Sequence, residues 1–265
     1  MYRYGNPSVR KWARRSQSGQ LNVESEAASY GGIAKKTLYF AALTLLIAIV
    51  SDVALWYGLM KFNTTDVDTL TRILTYLGIG VGVASIVMIV CTLVIAFVPS
   101  STKICGTIYA VIHGAFLGLI AGIVDLFMPF VSLAALLGTV VLFVCCLLLN
   151  KSGVKLKGNV WRVMLAAFVS FVLIELVMFA ISFFADVSGL FNWVQIVSCF
   201  LCIAFACITI VWDLQNVNVL VENGADKSYE WPVAFALVTS LVYLYIQILE
   251  LLVRLAALFK NSKSK

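Results

Sequence analysis

The sequence predicts an all-α fold, a polytopic membrane helix bundle with seven transmembrane helices. Hydrophobic residues make up 62% of the 265 residues, charged residues only 12%, and the mean hydropathy is +1.00. These values lie well outside the range of soluble globular chains. The apolar runs are continuous, whereas the strands of a membrane β-barrel alternate between apolar and polar residues, so helices are favoured.

Seven segments are long enough to cross a bilayer. A hydrocarbon core about 30 Å thick requires roughly 20 apolar residues in a helix. Segments of about this length lie at residues 37–60, 73–98, 104–124, 126–149, 158–184, 190–212 and 232–253. We therefore divide the chain into a polar basic arm at residues 1–36, a membrane domain at residues 37–256 and a basic tail at residues 257–265.

The distribution of Lys and Arg predicts the orientation of the chain. If the segments alternate, the basic arm, Lys35, Lys36, Lys103 and the basic cluster at residues 151–162 lie on one side. The positive-inside rule makes this side cytoplasmic. Seven crossings then leave the cations of the C-terminal tail outside. Either the third or the seventh segment re-enters the membrane, or the early loops determine the orientation and the tail is tolerated.

Five ionisable residues lie at membrane depth. They are Asp52, His113, Glu175, Asp213 and Glu250. Each costs about 2.5–3.5 kcal/mol at a helix centre, so such residues generally face a cavity, a partner or an ion pathway. Glu250 has Arg254 four residues later as an ion-pair partner. Glu175 has no basic residue within two turns of its own helix, so it is either protonated or paired with a residue of another helix. For Asp52 and His113, a structural role and a functional role fit the sequence equally well.

Two consecutive segments carry a polar stripe on one helix face. Residues three or four apart share a face. The stripe of the sixth segment consists of Gln195, Ser198, Cys202, Ala206, Thr209, Asp213 and Asn216, and that of the seventh of Thr239, Tyr243, Gln247, Glu250 and Arg254. We expect the two stripes to face each other inside the bundle. Asp213, at the end of a long uncharged run, is thus predicted to point into a polar seam.

Glycines at four-residue spacing predict close helix packing in two segments. Gly78 and Gly82 lie on one face of the second segment, and Gly114, Gly118 and Gly122 lie on one face of the third. Small residues at this spacing allow helix backbones to approach closely in membranes. We expect both segments to pack tightly against a neighbour.

Several stretches of sequence, taken in order, carry a family resemblance. They are "GNPSVRKW", "GGIAKKTLYFAALTLL", "YAVIHGAFLG" and, most clearly, "WDLQNVNVLVENGADKSYEWPVAFALVTSLVYLYIQILELLVRL". Together they resemble the transmembrane Bax-inhibitor-motif proteins, specifically their bacterial branch. The resemblance implies a seven-helix bundle with a central polar seam in a bacterial cytoplasmic membrane, with a cytoplasmic N-terminus. It also implies a calcium leak that responds to pH, with the lipid bilayer, cations and other membrane proteins as partners.

The resemblance also assigns residues. In the better-studied members two aspartates, one at the end of the sixth helix and one midway along the seventh, are understood to share a proton. The first falls on Asp213 and the second on Gln247, which can hydrogen-bond Asp213 but cannot share its titration. His113 stands where the branch commonly has a glutamate. Glu250, one turn beyond Gln247, and Glu175 are the acids that could substitute.

Our leading hypothesis is a proton-sensitive cation pathway through the seam. Asp213 is the main charged ligand or gate, Gln247 and Glu250 lie opposite it, and Glu175 and His113 line the cavity. No firm metal site and no cofactor is expected. A single carboxylate with amide and backbone oxygens would bind Ca²⁺ only weakly, because Ca²⁺ prefers six to eight oxygen ligands. Weakly bound Ca²⁺ or protons are the expected occupants.

The competing hypothesis is a membrane interaction or quality-control protein that transports nothing. The seam would then only specify helix packing, at about 0.6 kcal/mol for each interhelical polar contact. A proton-coupled transporter is less favoured because the sequence has no inverted repeat. An enzyme is least favoured, since there is one histidine, no nucleotide loop, no zinc-ligand spacing and no nucleophile beside a base. A nucleic-acid partner is not expected.

Overall fold

The structure is a computed structural model that describes residues 27–61, 67–152 and 188–263, together with seven separate positions between 153 and 187. Within these ranges, side chains are described except at residues 59, 67–79, 188–193 and 259–263. Six long helices are present: α1 (Tyr30–Lys61), α2 (Val67–Phe97), α3 (Thr102–Phe127), α4 (Val131–Lys151), α5 (Ser188–Glu222) and α6 (Glu230–Lys263). The predicted all-α class is confirmed.

Each of the six helices contains an apolar stretch long enough to cross a membrane. The chain is therefore a multi-pass membrane protein whose surroundings are a lipid bilayer. The predicted fifth segment, residues 158–184, lies largely outside the described residues. The positions described within it are all helical and exposed, and follow steps of one, three or four: Ala166, Val169, Ser170, Leu173, Leu176, Val177 and Ile181.

Several helices extend beyond the apolar segments. Helix α5 continues to Glu222, so Asp213 lies about 13 Å before its C-terminal end instead of at it. Helix α6 continues to Lys263, well into the predicted basic tail. Polar residues extend a helix beyond the hydrocarbon core because water satisfies their side chains there. Between α3 and α4 the chain turns at Phe130, whose φ of 67° lies in the left-handed region.

Helices α1 and α3 pack closely through the three glycines of α3. A Cβ atom at Gly114, Gly118 or Gly122 would collide with atoms of Thr44, Ala48 and Asp52, respectively, one turn apart along α1. The prediction for the third segment is confirmed.

The matching prediction for the second segment is wrong at Gly82, which has open space around its Cα atom. Spacing alone places small residues on one face of a helix, but it does not say whether a neighbouring helix covers that face. Gly78 lies among the residues whose side-chain surroundings are not described.

Helix α6 is central and packs against α1, α3, α4 and α5. One buried cluster lies mainly between α5 and α6 and includes Ile210, Leu220 and Leu244. A second lies between α1, α3 and α6 around Phe40 and Phe235, whose ring centroids are 5.9 Å apart. Two opposite sides of α6 are thus covered by different partners.

A polar contact joins the start of α1 to the loop between α5 and α6. The amide of Ala28 donates to the carbonyl oxygen of Ala225 at 2.6 Å. The side chain of Glu230, only 1% exposed, accepts from the amide of Ser29 at 2.8 Å and from Nζ of Lys36 at 2.6 Å. The end of the predicted arm is therefore tied to this loop and to the first turn of α6 through Ala28, Ser29 and Lys36.

We expect Gly118→Ala to destabilise the bundle by about 1–3 kcal/mol, because the added methyl group requires the Ala48 backbone to move. The matched control is Gly82→Ala, which adds the same methyl group into open space. Thermal unfolding of both variants in mild detergent measures the difference. Equal unfolding temperatures for the two variants would contradict close packing of α1 and α3.

We expect Glu230→Gln to lower stability by about 1–3 kcal/mol, less than the loss for a fully buried pair, because Lys36 keeps some solvent contact. Lys35→Gln removes a neighbouring cation that is exposed, and should change the unfolding temperature little. The same detergent unfolding assay applies. A larger effect from Lys35→Gln than from Glu230→Gln would refute the role of the buried pair.

Candidate functional site

Asp213 points into the bundle. Its side chain lies on the face of α5 that packs against α6, and the residue is 8% exposed. One carboxylate oxygen, Oδ2, accepts a hydrogen bond from the hydroxyl group of Ser240 on α6 at 2.8 Å. Within the described residues this is the only hydrogen bond to Asp213, and it is made by a neutral group.

The polar stripes of α5 and α6 meet in an antiparallel arrangement. Besides the contact between Asp213 and Ser240, Ala206 of the α5 stripe and Tyr243 of the α6 stripe belong to one apolar cluster. Nearer the other end, Cys199 and Leu251, which adjoin the stripes, are buried in another cluster. These shared clusters at successive levels indicate that the two stripes face each other along much of their length. We call this contact between α5 and α6 the seam.

Gln247 lies in the seam, but not at the level of Asp213. It shares a face of α6 with Ser240 and lies seven residues further along, about 10 Å along the axis. Its side chain is half-buried. Within the described part of the chain, no hydrogen bond joins it to Asp213. The register of the two helices gives Asp213 a serine as its partner at this level.

Glu250 is even further from Asp213, ten residues beyond Ser240 or about 15 Å along α6. Its Oε1 accepts from Nη2 of Arg254 at 2.5 Å and from Nε at 3.1 Å. The Glu250 side chain is 41% exposed. This is the intrahelical ion pair that the four-residue spacing predicts. The structure therefore does not bring Glu250 opposite Asp213.

The other two candidate residues are not at the seam. The ring of His113 packs edge-on against Tyr109, with 5.1 Å between centroids, and Tyr109 in turn packs against Phe235. His113 therefore belongs to the contact of α3 with α6, on the opposite side of α6 from Ser240. Glu175 lies outside the described residues.

Sequence reasoning missed Ser240. A signal was present, because Ser240 precedes Gln247 by seven residues and so shares its face. Serine in an apolar helix is common, however, and its partner depends on the register of two helices.

Asn216 was part of the predicted stripe, and its amide group has an unexpected environment. The residue is 5% exposed, and its Nδ2 atom is buried with no hydrogen-bond partner among the described residues. It lies about one turn from Asp213 on the same face of α5. The site thus contains one carboxylate, one hydroxyl group and one amide.

This set of groups suits a proton or a weakly held cation. Within the described residues, His, Cys, Asp and Glu side chains do not gather in groups of three or more that could hold a metal ion. All seven cysteines are free. A buried carboxylate in an apolar setting is costly unless a proton or a cation neutralises it. Asp213 is the group at the seam whose charge can change in this way.

The comparisons with known proteins agree with this architecture. Residues 6–257 match the family described as Bax inhibitor 1 like, which covers nearly the whole chain. No curated protein and no solved structure matches the chain. The match includes both seam helices and the buried contact of the arm with Glu230. This multi-pass membrane protein belongs to the Bax inhibitor 1 like family.

Proposed function

We propose that this protein is a proton-sensitive cation leak, with calcium as the preferred ion and Asp213 as the gate. The observation that carries the proposal is the pairing of a membrane-buried carboxylate with a neutral hydroxyl group, that of Ser240. The described residues supply no cation to neutralise Asp213. Either a proton or a passing metal ion fills that role, and the two compete for one carboxylate.

The chemistry of the site supports weak and reversible binding. Ca²⁺ prefers six to eight oxygen ligands, and the seam offers the Asp213 carboxylate and, after rotation, the hydroxyl oxygen of Ser240. The remaining ligands would be water molecules. Binding that keeps most of the hydration shell is weak, and weak binding permits passage. When Asp213 carries a proton, it loses its attraction for the ion while the contact with Ser240 closes the seam.

Asn216 supports a hydrated seam. Buried polar groups in native proteins are nearly always paired with protein or with ordered water. The buried Nδ2 atom of Asn216 has no protein partner among the described residues. The atom has no space for a water beside it in this closed arrangement, so a water would satisfy it only when α5 and α6 separate, and that water would then lie within about one helical turn of Asp213. Such water would extend the ion's route toward the α5–α6 loop.

The distribution of cations supports an orientation for this proposal. Lys36 and Lys103 lie at the same end of the bundle, with their Nζ atoms 4.9 Å and 5.8 Å from the ring centroid of Trp231. Lys35 and the basic arm are continuous with Lys36. By the positive-inside rule this end faces the cytoplasm. We propose a bacterial cytoplasmic membrane, a cytoplasmic N-terminus and a non-enzymatic function.

A non-transporting role is the second candidate. The polar groups of Glu250 and Glu230 are satisfied by Arg254 and Lys36, and the bond between Asp213 and Ser240 also ties α5 to α6. If every polar contact of the seam were structural, the protein would act by binding other membrane proteins. This candidate predicts a dry seam, whereas a leak requires one that water and ions enter.

We expect Asp213→Asn to abolish the pH dependence of calcium flux, because an amide cannot gain or lose a proton in this range. The measurement is calcium entry into proteoliposomes containing a calcium-sensitive dye, at a series of external pH values. Glu222→Gln is the matched control, because it removes an exposed acid from the same helix. Flux with the same pH profile in wild type and Asp213→Asn would refute the gate.

We expect single cysteines at positions 213 and 247 to react with a positively charged thiol reagent in a variant without native cysteines, because an ion route must admit water and cations to both levels of the seam. Leu220→Cys is the negative control, since Leu220 is fully buried in the apolar cluster. Glu250→Cys is not diagnostic, because Glu250 is exposed.

The labelling experiment separates the two candidate functions. Reaction at position 250 alone, with positions 213 and 247 as inert as position 220, would favour a dry seam and the binding role. If the cysteine at position 247 reacts and the cysteine at position 213 does not, the aqueous route ends between these two levels of the seam.

A further inference from the structure

A cavity of about 380 Å³ lies between α1, α3, α4 and α6. This volume falls in the range of small-molecule sites, about 300–1,000 Å³. Its α6 wall is formed by Val238, Leu241, Val242 and Tyr245. By helical phase, these residues lie on the face of α6 opposite Ser240. The cavity is therefore separate from the seam and plays no part in the proposed leak.

The cavity opens sideways toward lipid. Leu45 and Ile49 of α1 form one edge, and Leu133 and Val140 of α4 form the other, and all four side chains are exposed. Gly118 and Leu117 of α3 form part of the floor. An alkyl chain in the bilayer can enter between α1 and α4 without passing through water. The lining is otherwise almost entirely apolar.

One end of the cavity is polar. Asp52, Ser132 and Tyr245 lie there. The hydroxyl group and the amide of Ser132 both donate to Asp125, which is thereby satisfied. Asp52 has no hydrogen bond or ion pair to any described residue, and its Oδ1 atom is buried against Gly122 of α3. The cavity is thus lined by a carboxylate without a partner among the described residues, and Ser132 holds a second carboxylate, that of Asp125, at the same end.

The polar end lies toward the membrane surface. Asp125 and Ser132 flank the short turn between α3 and α4. From Asp52 the cavity runs along α1 to Ala41, eleven residues or about 16 Å deeper. Phe143 and Val238 help to close this apolar end. The cavity is polar near one membrane surface and apolar along the rest of its length, as an amphiphile that enters from that side is.

We propose that this cavity binds a single-chain amphiphile with an ammonium head group, its alkyl chain lying between α1 and α4 and its head group at Asp52. An ammonium group would donate a hydrogen bond to Oδ2, the carboxylate oxygen of Asp52 that is not packed against α3, and would neutralise the carboxylate. The ring of Tyr245 lies at the same end and can face the cation. An anionic head group would be repelled by Asp52 and Asp125.

The test is saturable binding of radiolabelled dodecylamine to the full-length protein in lipid nanodiscs. Dodecanol and dodecanoate, with the same chain length and a neutral or anionic head group, serve as competitors. We expect unlabelled dodecylamine to displace the probe, dodecanol to displace it poorly and dodecanoate not at all. Competition by dodecanol or dodecanoate as strong as that of dodecylamine would overturn the proposal.

Two pairs of variants locate the site. Asp52→Asn should weaken dodecylamine binding about tenfold or more, because it removes a charge-assisted hydrogen bond, whereas Glu222→Gln, a distant exposed acid, should leave it unchanged. Val140→Trp should block the opening, whereas Val141→Trp, beside it and outside the cavity lining, should not. Full binding by Asp52→Asn or Val140→Trp would overturn the proposal. Val140 is exposed, so its variant tests the site even if Asp52→Asn fails to fold.

Discussion

The structure depends on one constraint, the absence of water inside the hydrocarbon core. Backbone groups there are satisfied within helices, and polar side chains must find partners on neighbouring helices. Helix α6 lies beside several of these polar side chains. One face carries Ser240 toward Asp213, its first turn holds Glu230 for Lys36, and the opposite face borders Asp52 at the lateral cavity. A single central helix thus lies beside polar groups of two neighbours, Asp213 of α5 and both Lys36 and Asp52 of α1.

The carboxylates of the described residues fall into two groups. Those with enough hydrogen-bond or ion-pair partners are structural, and those with too few partners mark the proposed sites. Glu230 has three donors and Glu250 has an arginine four residues away, so both are explained as structural. Asp213 has a single neutral partner, and Asp52 has none among the described residues. Retaining such groups costs stability, and natural proteins usually tolerate that cost where a site requires it.

Much of the fold could be predicted from the sequence, because apolar length and helical phase are local properties. They predicted the helical class, the close packing of Gly114, Gly118 and Gly122 against a neighbouring helix, which is α1, and the facing stripes of α5 and α6. The relative position of α5 and α6 along their axes could not be predicted. A polar stripe specifies which face of a helix is buried, but not which residues of two helices lie opposite each other. The pairing of Asp213 with Ser240 instead of Gln247 depends on where α5 ends and α6 begins. The cavity beside Asp52 depends on four helices at once and has no local signal.

The contact at the start of α1 has a mechanical consequence. The backbone of Ala28 is bonded to Ala225, and Ala27 bridges Asp226, within the loop that joins the two seam helices. A load applied to the N-terminal arm is thus transmitted to this loop through backbone hydrogen bonds. Since that loop links the helices carrying Asp213 and Ser240, tension outside the bilayer would act on the alignment of two side chains buried within it.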